Sequence, residues 1–132
     1  MHTGGCLCGA IRFTFDTDDV SCAKCYCRDC QYVSGGEAAA VLRIPLDSLV
    51  VQGEPVEHWT RADSGTEVFR SFCSTCGTPL FAGNARHRRY IVVKAGALDD
   101  PSVFRPQLVV WPQSAQPWHA IDASLPTYSG GG

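Results

Sequence analysis

Phe72-Cys73-Ser74-Thr75-Cys76-Gly77-Thr78-Pro79-Leu80-Phe81 is the stretch that decides how this chain is built. Its centre, C-x-x-C-G, has the form of a zinc knuckle, a tight turn that points two sulfurs at one place. Gly77 suits the exit from the turn, because glycine takes positive φ without steric cost. Both flanks read as strands. Val56–Arg61 and Thr66–Phe72 form an expected hairpin around Asp63-Ser64-Gly65, and Pro79–Ala82 is a short strand leaving the knuckle.

A knuckle supplies two ligands, and a closed tetrahedral zinc site needs four. Cys6 and Cys8 form the second pair at C-x-C spacing. A site of Cys6, Cys8, Cys73 and Cys76 would tie the N-terminus to the middle of the chain, and it reads as structural. The eight cysteines fall into three clusters, whereas free structural cysteines would be scattered.

The third cluster is Cys22-Ala23-Lys24-Cys25-Tyr26-Cys27-Arg28-Asp29-Cys30. Four thiolates here would close a second site, and three would leave a fourth position open, as in catalytic zinc. Spacing alone does not choose. The familiar ferredoxin spacings differ from this one, which argues against an iron–sulfur cluster. If Val20–Lys24 is extended, Cys22 and Cys25 point to opposite faces while Cys25 and Cys27 share one. Cys22 is then expected to be a small buried hydrophobe.

Outward from the cysteines, the pattern stays β. Ile11–Phe15 alternates apolar with polar, and Ala38–Ile44 lies between Gly35-Gly36 and Pro45. Tyr90–Ala95 and Leu108–Trp111 are apolar strands around a turn at Leu98–Pro101, and Leu46–Leu49 is a helical turn. No run of ten or more residues keeps a helical period. The expectation is one mainly β domain over 1–132, with 126–132 a patternless tail on the surface or disordered. Trp59, Trp111 and Trp118 are expected in the core.

At 132 residues and 45% apolar, the chain is long enough for a core of its own. The net charge of −2 argues against nucleic acid as a partner. The basic run Arg86-His87-Arg88-Arg89 reads as a solvated loop, with an anion site as the functional option. No stretch approaches the ~20 apolar residues of a membrane span, and the N-terminus lacks the regions of a signal peptide. A reducing, cytoplasmic setting is expected, where disulfides are rare.

Three motifs occur in order: Gly4-Gly5-Cys6-Leu7-Cys8-Gly9-Ala10-Ile11, then Cys25-Tyr26-Cys27-Arg28-Asp29-Cys30-Gln31, then Phe72 to Phe81. With Gly96–Pro101 and Trp118, they resemble the family of glutathione-dependent formaldehyde-activating enzymes, which includes the centromere protein V type of domain. The resemblance implies an Mss4-like β-tent fold. It implies a structural zinc on Cys6, Cys8, Cys73 and Cys76. It also implies a catalytic zinc on Cys25, Cys27 and Cys30, with Cys22 outside the ligand set. The family often has His between the first two cysteines of the middle motif, where this chain has Tyr26.

The activity so implied adds the sulfur of glutathione, or of another small thiol, to formaldehyde or another small aldehyde. It is a carbon–sulfur lyase reaction in reverse. Glutathione carries carboxylates, and Arg28 inside the motif is a candidate partner, with Arg86, Arg88 and Arg89 as alternatives. His58, His87 and His119 are available as acid or base, and their spacing singles out none. The alternative is a zinc-stabilised binding module without catalysis. A redox dithiol protein would need Cys73 and Cys76 free to cycle.

Overall fold

Phe13 and Phe15 stand two apart in an alternating run, and each is only 1% exposed. Period-two alternation puts both on one face of a strand. That strand, β2 (Arg12–Phe15), is the middle of a three-stranded antiparallel sheet between β1 (His2–Gly5) and β5 (Leu49–Gln52). The structure is a computed structural model, and it describes residues 1–130.

A second, eight-stranded sheet carries the rest. Four of its strands follow the chain: β3 (Ser21–Cys25), β4 (Ala39–Pro45), β6 (Val56–Arg61) and β7 (Glu67–Phe72). The other four are β8 (Pro79–Asn84), β9 (Tyr90–Lys94), β10 (Leu108–Val110) and β11 (Thr127–Tyr128). Across the sheet the order is β11-β10-β3-β4-β9-β8-β7-β6. All pairs are antiparallel except those of β10, which runs parallel to β3 and to β11.

Register makes the two faces of this sheet unlike. Cys22, Leu42, Val93 and Phe81 form one cross-strand row, and all four are buried in the core. Phe81 meets Phe13 edge-on at 5.2 Å between ring centroids, so this face packs on the three-stranded sheet. Full burial of side chains of this size contributes about 2 kcal/mol each. The next row, Ala23, Val41 and Lys94, must point the other way. Cys25, two residues beyond Ala23, shares that outer face.

The small sheet is also pinned at its rim. Asp99 accepts from Arg12 and from Thr3 Oγ1, and these bonds hold its carboxyl down at about 2. At Gly4 the packing leaves no room. A Cβ there would stand 2.4 Å from the Ala97 carbonyl oxygen and 2.4 Å from the Phe13 ring. We expect Gly4→Ala to cost about 3 kcal/mol through overpacking, read by urea unfolding. Unchanged stability would mean that β1 does not lie this close.

The mainly β architecture is as the sequence led us to expect, and the expected strands and the hairpin are present within a residue or two. Three strands and one α-helix were not anticipated: β1, β5, β11 and the short helix α1 (Arg28–Val33). The tail, expected patternless and on the surface or disordered, is corrected in its pattern alone: Thr127 and Tyr128 form β11 with Val109 and Val110, and both are exposed at the surface. Residues 131 and 132 of that tail lie outside the described residues. The tryptophans are corrected too. Trp59, Trp111 and Trp118 are 44%, 37% and 61% exposed, so none is a core residue.

Candidate metal centres

The knuckle is built as its sequence suggests. After β7 the chain turns at Cys73, Gly77 donates its N–H back to the Cys73 carbonyl at 2.8 Å, and Gly77 has φ of 77°. A second turn after β1 presents Cys6 and Cys8. There the N–H of Ile11 donates to Cys6 Sγ at 3.2 Å, and Gly9 takes φ of 84°. Thr78 joins the two turns, since its hydroxyl accepts from the Leu7 N–H and lies 3.1 Å from Cys76 Sγ.

The sulfurs of Cys6, Cys8, Cys73 and Cys76 all lie within 4.8 Å of one another. Cys6 to Cys8 is 3.6 Å and Cys8 to Cys73 is 3.8 Å. A disulfide would need about 2.0 Å. A zinc tetrahedron with Zn–S bonds of about 2.3 Å has edges of about 3.8 Å, so the spacing fits that ion. Hydrogen bonds from the hydroxyl and N–H of Thr78 and from the Cys8 N–H hold Cys76 down at about 5, and so favour its thiolate.

The middle cluster owes its shape to α1. Cys25 ends β3, and Cys27 is the N-cap of α1, where its Sγ accepts the N–H of Cys30 at 3.3 Å. One helical turn then returns Cys30 to Cys27. The sulfurs of Cys25, Cys27 and Cys30 lie within 4.8 Å of one another, and no fourth His, Cys, Asp or Glu among the described residues joins them. Cys22 is 8% exposed in the core row, on the opposite face of the sheet. Hydrogen bonds from Cys25 and Cys30, with the Cys30 N–H and the charge of Arg70, drive Cys27 down to about 2. The same bonds drive Cys25 up.

Behind the trio lies a buried polar brace that sequence reasoning did not find. Gln31 is 1% exposed; its amide donates to the carbonyls of Tyr26 and Ser114 and accepts from Arg28 and Gln116. Tyr26 is 2% exposed and donates its hydroxyl to the Ala120 carbonyl. His119 accepts the Gln116 N–H at Nδ1, so its proton sits on Nε2, which meets the Gly36 carbonyl at 2.8 Å. Both ring nitrogens are engaged, which leaves His119 a structural role. The signal for the brace was Gln31, an amide one residue past the last cysteine of the motif. Gln31→Leu should cost about 2 kcal/mol or more, because it leaves buried carbonyls unpaired. Thermal unfolding at constant metal content reads it, and an unshifted melting point would remove the brace.

Of the arginines named from sequence, Arg28 is exposed; it donates to Gln31 and lies over the Tyr32 ring at 4.9 Å. Arg86, Arg88 and Arg89 do not reach the trio's motif. With Arg43 and Tyr90 they line a separate cleft of about 320 Å³.

The profile of one family, glutathione-dependent formaldehyde-activating enzyme, matches residues 1–114. The chain belongs to that family. A Halomonas elongata protein provisionally named a glutathione-dependent formaldehyde-activating enzyme is 31% identical over 103 residues. The match takes in 73% of this chain and 64% of that relative, so the chain spans less than two-thirds of its length. A crystal structure of a Rhodobacter sphaeroides protein superposes with a TM-score of 0.55 at 23% identity, over 74% of this chain and 87% of that one. That likeness bears on the fold alone. Among the described residues no helix is long and apolar enough to cross a membrane.

Proposed function

We propose that this family member joins a small thiol, glutathione or a relative, to formaldehyde or another small aldehyde. It does so as a zinc-dependent carbon–sulfur lyase run in the direction of synthesis. The observation that carries the reading is the three-sulfur trio of Cys25, Cys27 and Cys30 with no fourth protein ligand among the described residues. Three ligands with an open position are the pattern of a catalytic site, and four closed ligands that of a structural one. Cys6, Cys8, Cys73 and Cys76 supply the closed set.

In the reaction a sulfur–carbon bond forms, the carbonyl π pair moves onto oxygen, and the proton of the thiol ends on that oxygen. A free thiol with pKa near 8.5 is mostly protonated at neutral pH, and a zinc ion held by Cys25, Cys27 and Cys30 would supply the thiolate. Three cysteine thiolates would leave such an ion a formal charge of −1, so it would be a weak Lewis acid, suited to holding and orienting sulfur rather than polarising the carbonyl. Cys25, fixed at the end of β3, and Cys27 and Cys30, fixed by α1, set the direction of approach. Arg28, next to Cys27, is the candidate partner for a glutathione carboxylate. A reducing cytoplasm would keep these cysteines out of disulfides.

Native mass spectrometry of freshly purified protein, with and without glutathione, tests the reading. The expected result is two zinc ions, one lost readily to a mild chelator, and a mass increment for bound thiol. One tightly held zinc with no thiol adduct would leave a zinc-stabilised binding module instead.

A further inference from the structure

Lys94 is the one lysine buried among the described residues, at 8% exposure. An ammonium group is almost never buried without a partner of opposite charge, because losing water costs it several kcal/mol. The usual partner is a carboxylate, yet none of the four ion pairs among the described residues includes Lys94. Something else must balance it.

The register of the sheet says what. Lys94 pairs with Val41, which pairs with Ala23, so the three share the outer face. Cys25 lies on that face, two residues along β3. The core row of Cys22, Leu42 and Val93 fills the other face. Arg70 stands on the same side, since its cross-strand row runs through Ala82, Val92 and Arg43 to Ser21, two residues before Ala23. It is a quarter exposed and pairs at 3.8 Å with Asp29, a carboxylate that is itself 73% exposed.

We propose that Lys94, aided by Arg70, makes the open position of the three-cysteine centre selective for a negatively charged fourth ligand. The inference rests on the metal-holding role proposed above for Cys25, Cys27 and Cys30. Zinc on three thiolates carries −1 before any ligand arrives. A fourth anion would take a partly buried site to −2, which is costly where water is scarce. Lys94 offsets one of these charges from inside. Arg70 offsets part of the other, its effect shared with the solvent-facing Asp29. A neutral ligand such as imidazole gains nothing comparable. Lys94 is thus a positioning residue that favours the reactive thiolate form of the substrate over its thiol.

Cobalt-substituted full-length protein separates these effects. The probes are 2-mercaptoethanol, which binds as a thiolate, and imidazole, which binds neutral. Change in the sulfur-to-cobalt absorption is followed, with the metal count fixed by native mass spectrometry. For Lys94→Met we expect thiolate affinity to fall about 10- to 100-fold, the usual cost of losing an outer partner, with imidazole affinity changed by less than about 3-fold. Lys94→Arg should restore most of the thiolate affinity. Equal loss for both probes, or none for the thiolate, would overturn the proposal. If Lys94→Met does not fold with two metals, Arg70→Gln makes the same comparison: thiolate binding weakened and imidazole binding kept supports it, and thiolate binding kept overturns it. Wild-type protein with one metal, or with two and no response to either probe, would instead remove the catalytic reading on which this one stands.

Discussion

Cys73→Ser should lower the melting temperature by at least about 10 °C and reduce the zinc count from two to one, an effect sized from structural zinc sites and from domains of this length. Cys73 is 1% exposed and begins the knuckle, with its sulfur 3.8 Å from that of Cys8. A structural zinc site of this kind contributes about 10 kcal/mol or more in small peptides. This domain has its own core, so it need not unfold outright, but loss of one ligand in four should remove several kcal/mol. For a chain of this length each kcal/mol moves the melting point by about 3–5 °C. The variant also buries a hydroxyl in place of a sulfur, which adds to the loss. A chelator supplies the control. It should lower the melting point of the wild type strongly and that of the variant little. Unchanged stability with one zinc missing would mean that this site does not clamp the fold.

Cys25→Ser should do the reverse, keeping the fold and losing the chemistry. Thiol-dependent consumption of formaldehyde should fall by more than about 100-fold, because a lost ligand costs more than the 10- to 100-fold of a lost outer partner. Cys25 is partly exposed at the end of β3, away from the core row, so the melting point should move by only a few degrees, as for most substitutions outside the core. Cys22→Ala, three residues earlier, makes the contrast. It leaves a small void at a buried position and should cost about 1 kcal/mol while metal and turnover stay intact. If Cys25→Ser kept its turnover, the catalytic assignment would fall. If Cys22→Ala lost a metal, the separation of the two faces would fall.

What could be read from sequence was whatever depends on local spacing. The knuckle, the hairpin and the alternation at Phe13 and Phe15 each follow from a few adjacent residues, and they appear where expected. The alternation around Cys22 and Cys25 also assigned the two cysteines to opposite faces, as the register places them. What could not be read depends on distant partners. His2-Thr3-Gly4-Gly5 has no strand pattern and becomes β1 because β2 pairs with it and Ala97 and Phe13 leave room for nothing but glycine at Gly4. Thr127 and Tyr128 become β11 only by adding to the edge of β10. Helix α1 is too short for any period to show, and it is fixed by a cysteine cap and the amide of Gln31. Lys94 gave no sign at all, because nothing local in the run Tyr90–Ala95 marks its lysine as buried.

The two cysteine sets differ in how far along the chain they reach. Cys8 and Cys73 are 65 residues apart, and Cys27 and Cys30 are 3. Closing the longer loop costs about 3 kcal/mol more in chain entropy, from the logarithm of that ratio. The trio can therefore gather a metal ion from a nearly unfolded chain, while the four-cysteine set cannot do so until β1, β2, β7 and β8 have met. During synthesis Cys30 also leaves the ribosome well before Cys73. On the proposed metal assignment the short-range set would fill early and record nothing about the fold. The long-range set would fill last, so that an ion held there would certify that both sheets are in place.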